Sequence, residues 1–233
     1  FGEGGPLQSM LEHHGIPFVG SSSKVSHDAM DKVITKQIAT QIEIQTPSWC
    51  VCTKDEPCVV APPLVLKPID DGSSIDIVVC YNDEQVTSAR KQLHQTRSSL
   101  LAEQYVGGRE VTVPIVDGTP LPIVEIIPPS DLKTYDFAAK YERDDTEFIV
   151  DPCLPKNNCE KMALKLYGAM GVRDLARVDF LIDAEGEWLL EINTMPGFTN
   201  HSLLPMAAKH AGMDMCELCN RLVEFALQRQ IKS

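Results

Sequence analysis

The sequence predicts an α+β protein folded as two lobes. Three observations carry that expectation. Strand-type and helix-type segments interleave along the chain, hairpin signals are present among the strands, and 233 residues are enough for two lobes with cores of their own.

Residues 1–26 are glycine-rich and carry a short helix over Leu7–Glu12, with Leu7, Met10 and Leu11 as its apolar positions. Ile16–Gly20 reads as a short strand and His27–Thr40 as a helix. Residues 45–58 read as a loop, with Pro47 and Pro57 as breakers. Leu64–Lys67 is a buried strand running into Pro68, residues 69–74 are a turn, and Ile75–Tyr81 is a second strand. Asn82 with Gln85 resembles a capping box and opens a helix reaching Gln95. Leu100–Val106 is a strand ending at Gly107 and Gly108. Glu110–Val116 and Pro122–Ile127 form a pair around Asp117–Gly118. Pro128–Pro155 is long, irregular and polar, and a loop of that length is more often functional than idle. Asn157–Met170 is a helix stopped by Gly171. Arg177–Asp183 and Glu187–Asn193 are rich in strand formers and are joined by Ala184–Gly186 as a turn. Leu203–Ala211 follows. Asp214 with Glu217 opens the last helix, whose apolar face is Met215, Leu218, Cys219, Leu222, Val223 and Ala226.

The composition, 43% hydrophobic and 23% charged, is that of an ordinary globular protein. A net charge of −12 argues against nucleic acid or an anionic membrane as the main partner, while leaving room for a small anion in a local basic cleft. No run approaches a membrane-spanning length. No signal peptide is visible, so the cytoplasm is expected, with an organelle stroma as the alternative. The start at Phe1 suggests a processed or truncated beginning. The eight cysteines are expected as reduced thiols. Cys50, Cys52 and Cys58 have metal-like spacing but no assigned role. Cys216 and Cys219 have it too, although core packing of the last helix accounts for them better.

The most informative stretch is the hairpin. Side chains alternate along a strand, so Arg177 and Asp179 share a face, as do Glu191 and Asn193. A three-residue loop sets Asp179 opposite Glu191 and Arg177 opposite Asn193. Facing carboxylates repel, so two of them beside an amide oxygen call for a cation. Three oxygen ligands with an open side suit Mg²⁺ that also holds phosphates, and the plainer reading is a solvated polar face. Lys67 ends an apolar strand and faces the Gly72–Ser74 loop, a pairing that can hold phosphate oxygens from two sides, although this is not a Walker loop. Lys32 on its helix reads as solvated. Glu103 and Glu110 flank Gly107–Gly108 and read either as acceptors for an adenine amine and ribose hydroxyls or as a charged hinge. His201 and Ser202 lack a placed acid and an oxyanion hole, so a nucleophile pair is set aside.

Together these segments resemble the D-alanine–D-alanine ligases of the ATP-grasp fold across nearly the whole chain. The resemblance rests on residues 2–8, 15–21, Met30–Lys32 with Lys36, Leu66–Pro68 with Gly72–Ser74, Ala139–Tyr141, Ala176–Phe180, Glu191–Thr199 and His201–Pro205. It implies an ATP-grasp protein with two α+β lobes clasping ATP. Residues 1–31 would be the remnant of an α/β N-terminal substrate domain, 32–110 the central lobe and 111–233 the C-terminal lobe. Lys32 and Lys67 would hold ATP phosphates, Lys140 the γ-phosphate, Glu103 and the Val106 backbone the adenine, and Glu110 the ribose. Asp179, Glu191 and Asn193 would bind two Mg²⁺ ions, with Mn²⁺ as the alternative. Arg177 and the Gly197 backbone would stabilise the transition state, and Ser202 with Leu203 would hold the second amino acid. Ser73 and Tyr141 would connect the active-site loop to the first domain, where Glu3 stands at the family's glutamate. Tyr141 favours D-alanine over D-lactate by the same resemblance, and the sequence leaves both a monomer and a homodimer open.

The reaction so implied passes the γ-phosphoryl of ATP to the carboxylate of one D-alanine. The amine of a second then attacks the acyl phosphate, with residues 128–155 as a lid against water. Three departures from the family pattern stand out. The chain starts downstream of the family's N-terminal segment, which carries the acid gripping the first D-alanine's amine, so weak turnover is expected. Gly4 follows Glu3 where the family has an acid. Asp70 and Asp71 precede Gly72 where a basic residue is usual, and no glycine follows the serines. Two other readings fit the same residues: a nucleotide-binding module without turnover, and a ligase for another amino or hydroxy acid.

Overall fold

Alternating apolar residues sort the strands into two sheets. The computed structural model describes residues 1–72, 75–129, 146–155 and 157–232, with the backbone alone at 230–232. The smaller sheet has four strands, β1 (Trp49–Thr53), β2 (Leu64–Pro68), β3 (Val78–Cys80) and β4 (Ser99–Gln104), in the order β1-β4-β2-β3. The larger has β5 (Arg109–Val116), β6 (Thr119–Pro120), β7 (Val124–Ile127), β8 (Glu147–Val150), β9 (Leu175–Ile182) and β10 (Glu187–Asn193). Its order is β10-β9-β5-β7-β8, with β6 paired to β5. Every pairing is antiparallel. Antiparallel sheets with helices laid on their faces make an α+β fold, as expected.

The helices are α1 (Pro6–His13), α2 (Ser23–Met30), α3 (Lys32–Gln41), α4 (Asp83–Leu93), α5 (Cys159–Met170), α6 (Leu203–His210) and α7 (Met215–Lys232). Leu64, Leu66, Leu100 and Ala102 of the small sheet pack on Ala89 and Leu93 of α4. One face of the large sheet packs Val111, Val113, Val178 and Phe180 against Ala163 and Leu166 of α5. The other packs Val124 and Ile126 against α6 and α7 through Leu204, Ala207, Leu218 and Leu222. Helix α4 is capped as its sequence predicts, with the Asn82 side chain accepting from the Gln85 N–H at 2.9 Å and the Gln85 side chain accepting from the Tyr81 N–H at 2.7 Å. Gly171, at φ 70°, ends α5.

Several elements differ from the sequence reading. The single helix over His27–Thr40 is two, because Asp31 leaves the helical region and its carboxylate accepts from the Val33 and Ile34 N–H groups at 2.8 and 3.1 Å. A local cap there outcompetes continuation of the ladder. Ile16–Gly20 forms no strand. Its backbone is held by side chains instead, with Asp174 accepting from the Gly20 N–H at 2.7 Å and Arg229 donating to the Phe18 carbonyl at 2.8 Å. Within the expected 45–58 loop, Trp49–Thr53 pairs with β4, since the two prolines bracket this strand-forming run without entering it. Within Pro128–Pro155, Glu147–Val150 adds to β7. Among the described side chains of α7 the buried positions are Leu218, Leu222 and Ala226, while Cys219 and Val223 are exposed. The core stripe is narrower than predicted.

All eight cysteines are free thiols. Among the described residues no group of three or more His, Cys, Asp or Glu is arranged to hold a metal, so the close spacing of Cys50, Cys52 and Cys58 makes no such site. Burial, with the Cys58 thiol beside it, pushes the Cys52 thiol up to about 12, and a thiol held protonated is a packing group. No helix among the described residues is long and apolar enough to cross a membrane.

Candidate active site

A cleft of ≈ 360 Å³ lies between the two sheets, lined by residues of α3, β2, β4, β5, β7, β9 and β10. Seven residues singled out in the sequence line it: Lys32, Lys67, Glu103, Val106, Glu110, Asp179 and Glu191. They come from six separate stretches of chain, and the fold brings them together.

The large-sheet wall is built by the hairpin. Asp179 pairs with Glu191 and Arg177 with Asn193, as the sequence predicts, but by a different route. The connection between the strands starts Glu187 opposite Ile182, one step away from the register a three-residue loop gives, and an irregularity between Leu189 and Glu191 restores the register. That extra residue is a β-bulge. It breaks the alternation, so Leu189 and Ile192, three apart, both enter the core while Leu190 and Glu191, adjacent in sequence, both line the cleft.

Two carboxylates about 5 Å apart at an effective dielectric near 20 repel by about 3 kcal/mol, and cations offset this. Arg177 donates to both oxygens of Asp179, at 3.0 and 2.9 Å, and Thr112 from the facing strand donates to Oδ1 at 2.5 Å. The Lys32 ammonium stands 3.4 Å from Glu191 Oε2 and donates to the Asp71 carbonyl at 2.6 Å. Lys32 is 6% exposed, which corrects the solvated reading. It begins α3 right after the Asp31 cap, and that break in the helix is what aims it at the cleft. Asn193 Oδ1 accepts from the Met195 N–H at 2.9 Å. The donor set, two carboxylates and an amide oxygen at adjoining register positions, fits a hard divalent cation.

The opposite wall is cationic. Lys67 of β2 and Lys36 of α3 both pair with the Glu103 carboxylate of β4, Lys36 Nζ at 2.8 Å. Burial, the largest effect, pushes the Glu103 carboxyl up, but Lys67 and Lys36 together outweigh it and hold it at about 2. Glu103 lines the cleft as expected, with both of its oxygens engaged by lysines. Asp71, the acid at the Gly72 turn, is neutralised by Arg97, whose guanidinium pairs with its carboxylate. The sequence-level conflict at this turn is therefore resolved by a residue 26 positions away.

The remaining expected residues lie outside the cleft lining or outside the described residues. Ser73, Lys140 and Tyr141 fall outside the described residues. Glu3 reaches the Gly72 turn, where a Cβ on Gly72 would stand 3.2 Å from its Oε2. Gly197 touches Ser202, and a Cβ there would lie 2.9 Å from Ser202 Oγ. Ser202 stands at the N-cap position of α6, but its hydroxyl, instead of capping the helix, accepts from the Thr199 N–H at 3.0 Å. The Leu203 side chain packs into the core, so only its backbone, in the first turn of α6, is available to a substrate.

Sequence reasoning missed three features here. Leu181 and Leu190 supply apolar cleft surface, and Leu181 was recoverable, since it shares a face with Asp179 by strand alternation. Arg109 and Glu125 meet in a bidentate pair at 2.6 Å across β5 and β7, and both line the cleft. Gly108 passes so close to β9 that a Cβ would stand 2.4 Å from the Ile182 carbonyl.

The family model described as the D-ala D-ala ligase C-terminus matches residues 39–224. A D-alanine–D-alanine ligase of Acinetobacter baumannii ATCC 17978 is 37% identical, covering 97% of this chain and 77% of that protein. One from Syntrophotalea carbinolica is 36% identical, covering 99% and 77%. The crystal structure of D-alanine–D-alanine ligase from Bacillus anthracis complexed with ATP superposes with a TM-score of 0.85 at 33% identity, covering 99% of this chain and 77% of that one.

Proposed function

The chain belongs to the D-alanine–D-alanine ligase family, with its ATP-grasp fold, and from that membership we propose that it joins two D-alanines at the expense of ATP, releasing ADP and phosphate. The observation that carries the reading is the pairing of Asp179 with Glu191 on one wall of a cleft whose other wall presents Lys67. Nucleotide phosphates and a divalent cation need opposite charges in one cleft, and Lys67 on one wall with the Asp179–Glu191 pair on the other supports that reading.

Lys32 and Lys67 would hold the phosphates, and Leu181 and Leu190 offer the adenine an apolar surface beside Glu103 and the Val106 backbone. Asp179, Glu191 and Asn193 would hold Mg²⁺, which when bound would neutralise charge on the transferring phosphoryl group. Arg177 is positioned by its two hydrogen bonds to Asp179 and would meet the oxyanion that forms when the second amine attacks. The Leu203 N–H at the start of α6 and the Ser202 hydroxyl, set against Gly197, would receive the carboxylate of the second D-alanine. Positioning of the two substrates does most of the remaining work.

ADP release measured with ATP, Mg²⁺ and a panel of D- and L-amino acids tests this. D-Alanine should stimulate release above every other amino acid. Nucleotide binding with no amino-acid-dependent release would overturn the ligase reading, and a preference for another amino or hydroxy acid would overturn the substrate.

A further inference from the structure

Lys36 is fully buried and does not line the cleft, yet it carries a charge into the interior. We infer that Lys36 is a positioning residue that ties the cationic wall of the cleft to the strand carrying Glu191, an inference that rests on the ligase reading above.

Its ammonium pairs with Glu103 Oε2 at 2.8 Å and donates to the Thr46 hydroxyl at 2.6 Å. Thr46 in turn donates to the Leu189 carbonyl at 2.9 Å, and the Leu189 N–H donates to the neighbouring Gln45 carbonyl at 2.8 Å. Leu189 is the last regular residue before the bulge that turns Glu191 into the cleft. A continuous polar chain therefore runs from Lys67 through Glu103, Lys36 and Thr46 to the bulge. It joins β2 and β4 of the small sheet to β10 of the large one.

The chain acts at both ends. Lys36 occupies one oxygen of Glu103 and leaves Oε1 to Lys67. Without Lys36, both oxygens would turn to Lys67 and draw it away from a bound phosphate. At the other end Thr46 grips the backbone at the one place where β10 departs from regular alternation. An apolar side chain at position 36 would fill the space at less cost than a buried ammonium, so packing does not account for the lysine.

The test compares Lys36→Met and Thr46→Val with the wild-type chain. Binding of a non-hydrolysable ATP analogue is measured by calorimetry, and ADP release is titrated with Mg²⁺. Lys36→Met should weaken the analogue by about tenfold, because Lys67 turns from the phosphate to Glu103 and a charge-assisted contact is lost, and should raise the Mg²⁺ needed for half-maximal release. Thr46→Val should raise the Mg²⁺ requirement with nucleotide affinity unchanged. A merely structural lysine would lower kcat by reducing the folded fraction, leaving the KM for ATP and the Mg²⁺ midpoint at their wild-type values, and that result overturns the inference. Where Lys36→Met does not fold by circular dichroism, Thr46→Val decides: a wild-type Mg²⁺ midpoint overturns the inference and a raised one supports it. Failure of the ligase reading looks different. The wild-type chain would then bind the analogue without amino-acid-dependent release, and calorimetry of both variants titrated with analogue at low and high Mg²⁺ would still decide the role of Lys36.

Discussion

The two walls of the cleft crowd like charges in opposite ways. On the β9–β10 hairpin two carboxylates face each other, and cations from Arg177 and Lys32 relieve them. On the small-sheet wall two lysines share one carboxylate, Glu103. In the first arrangement two cations balance the two carboxylates, and the Asn193 amide oxygen beside them adds a third oxygen donor suited to a divalent cation. The second has an excess of ammonium and suits phosphate. On the proposed function, this difference divides the work between the walls: the hairpin would govern the chemical step and the small-sheet wall nucleotide affinity.

That division can be broken most sharply at Glu191. Glu191→Gln keeps the shape and removes the charge, so ADP release should fall by orders of magnitude, about 10²-fold or more, while analogue binding and the melting temperature change little. Equal losses in turnover and in nucleotide affinity would erase the distinction between the walls. Lys67→Met should do the reverse. A charge-assisted phosphate contact contributes about 1.5–3 kcal/mol, so calorimetric ATP affinity should drop by about tenfold or more. A drop well under tenfold would place the phosphates elsewhere.

Acid sharpens the comparison further. The Glu103 carboxyl is held at about 2 against an ordinary 4.5. A carboxyl depressed on folding contributes stability that is fully present above 4.5 and is lost as pH falls from there toward 2. Urea midpoints followed across that window should fall more steeply for the wild type than for Glu103→Gln. Parallel curves would mean that the two lysines do not stabilise the folded carboxylate. The smallest effect is expected away from both walls. Asn82→Ala removes the cap of α4 and should cost about 1 kcal/mol of stability, with the KM for ATP unchanged.

The hairpin was legible because its partners lie within a few residues of a turn, and strand alternation alone places Asp179, Glu191, Arg177 and Asn193. Even there the loop expected from Ala184–Gly186 was not the one formed, and the bulge at Leu190 compensates for the difference. The lysine wall was less legible. Lys36, Lys67 and Glu103 meet across a helix and two strands, and no local period reports such a meeting. Lys32 reads as a surface residue until the Asp31 cap is seen to break the helix before it. The strand at Trp49–Thr53 was hidden by its neighbouring prolines, since pairing with β4 is a long-range event that composition does not show. At α7 the pattern gave the right helix and too wide a face, because Cys219 and Val223 are apolar without being buried.

Gly108 carries a mechanical consequence. It sits in the four residues, Tyr105 to Gly108, that separate the end of β4 from the start of β5, and it rests against the Ile182 carbonyl with no room for a side chain. Four residues reach at most about 14 Å when fully extended, so at this point two interior strands, one of each sheet, are leashed together. Any widening that admits or releases a nucleotide is limited here to what four residues can span, as the pages of a book are held at its spine. A methyl group at Gly108 would act as a wedge driven into that spine.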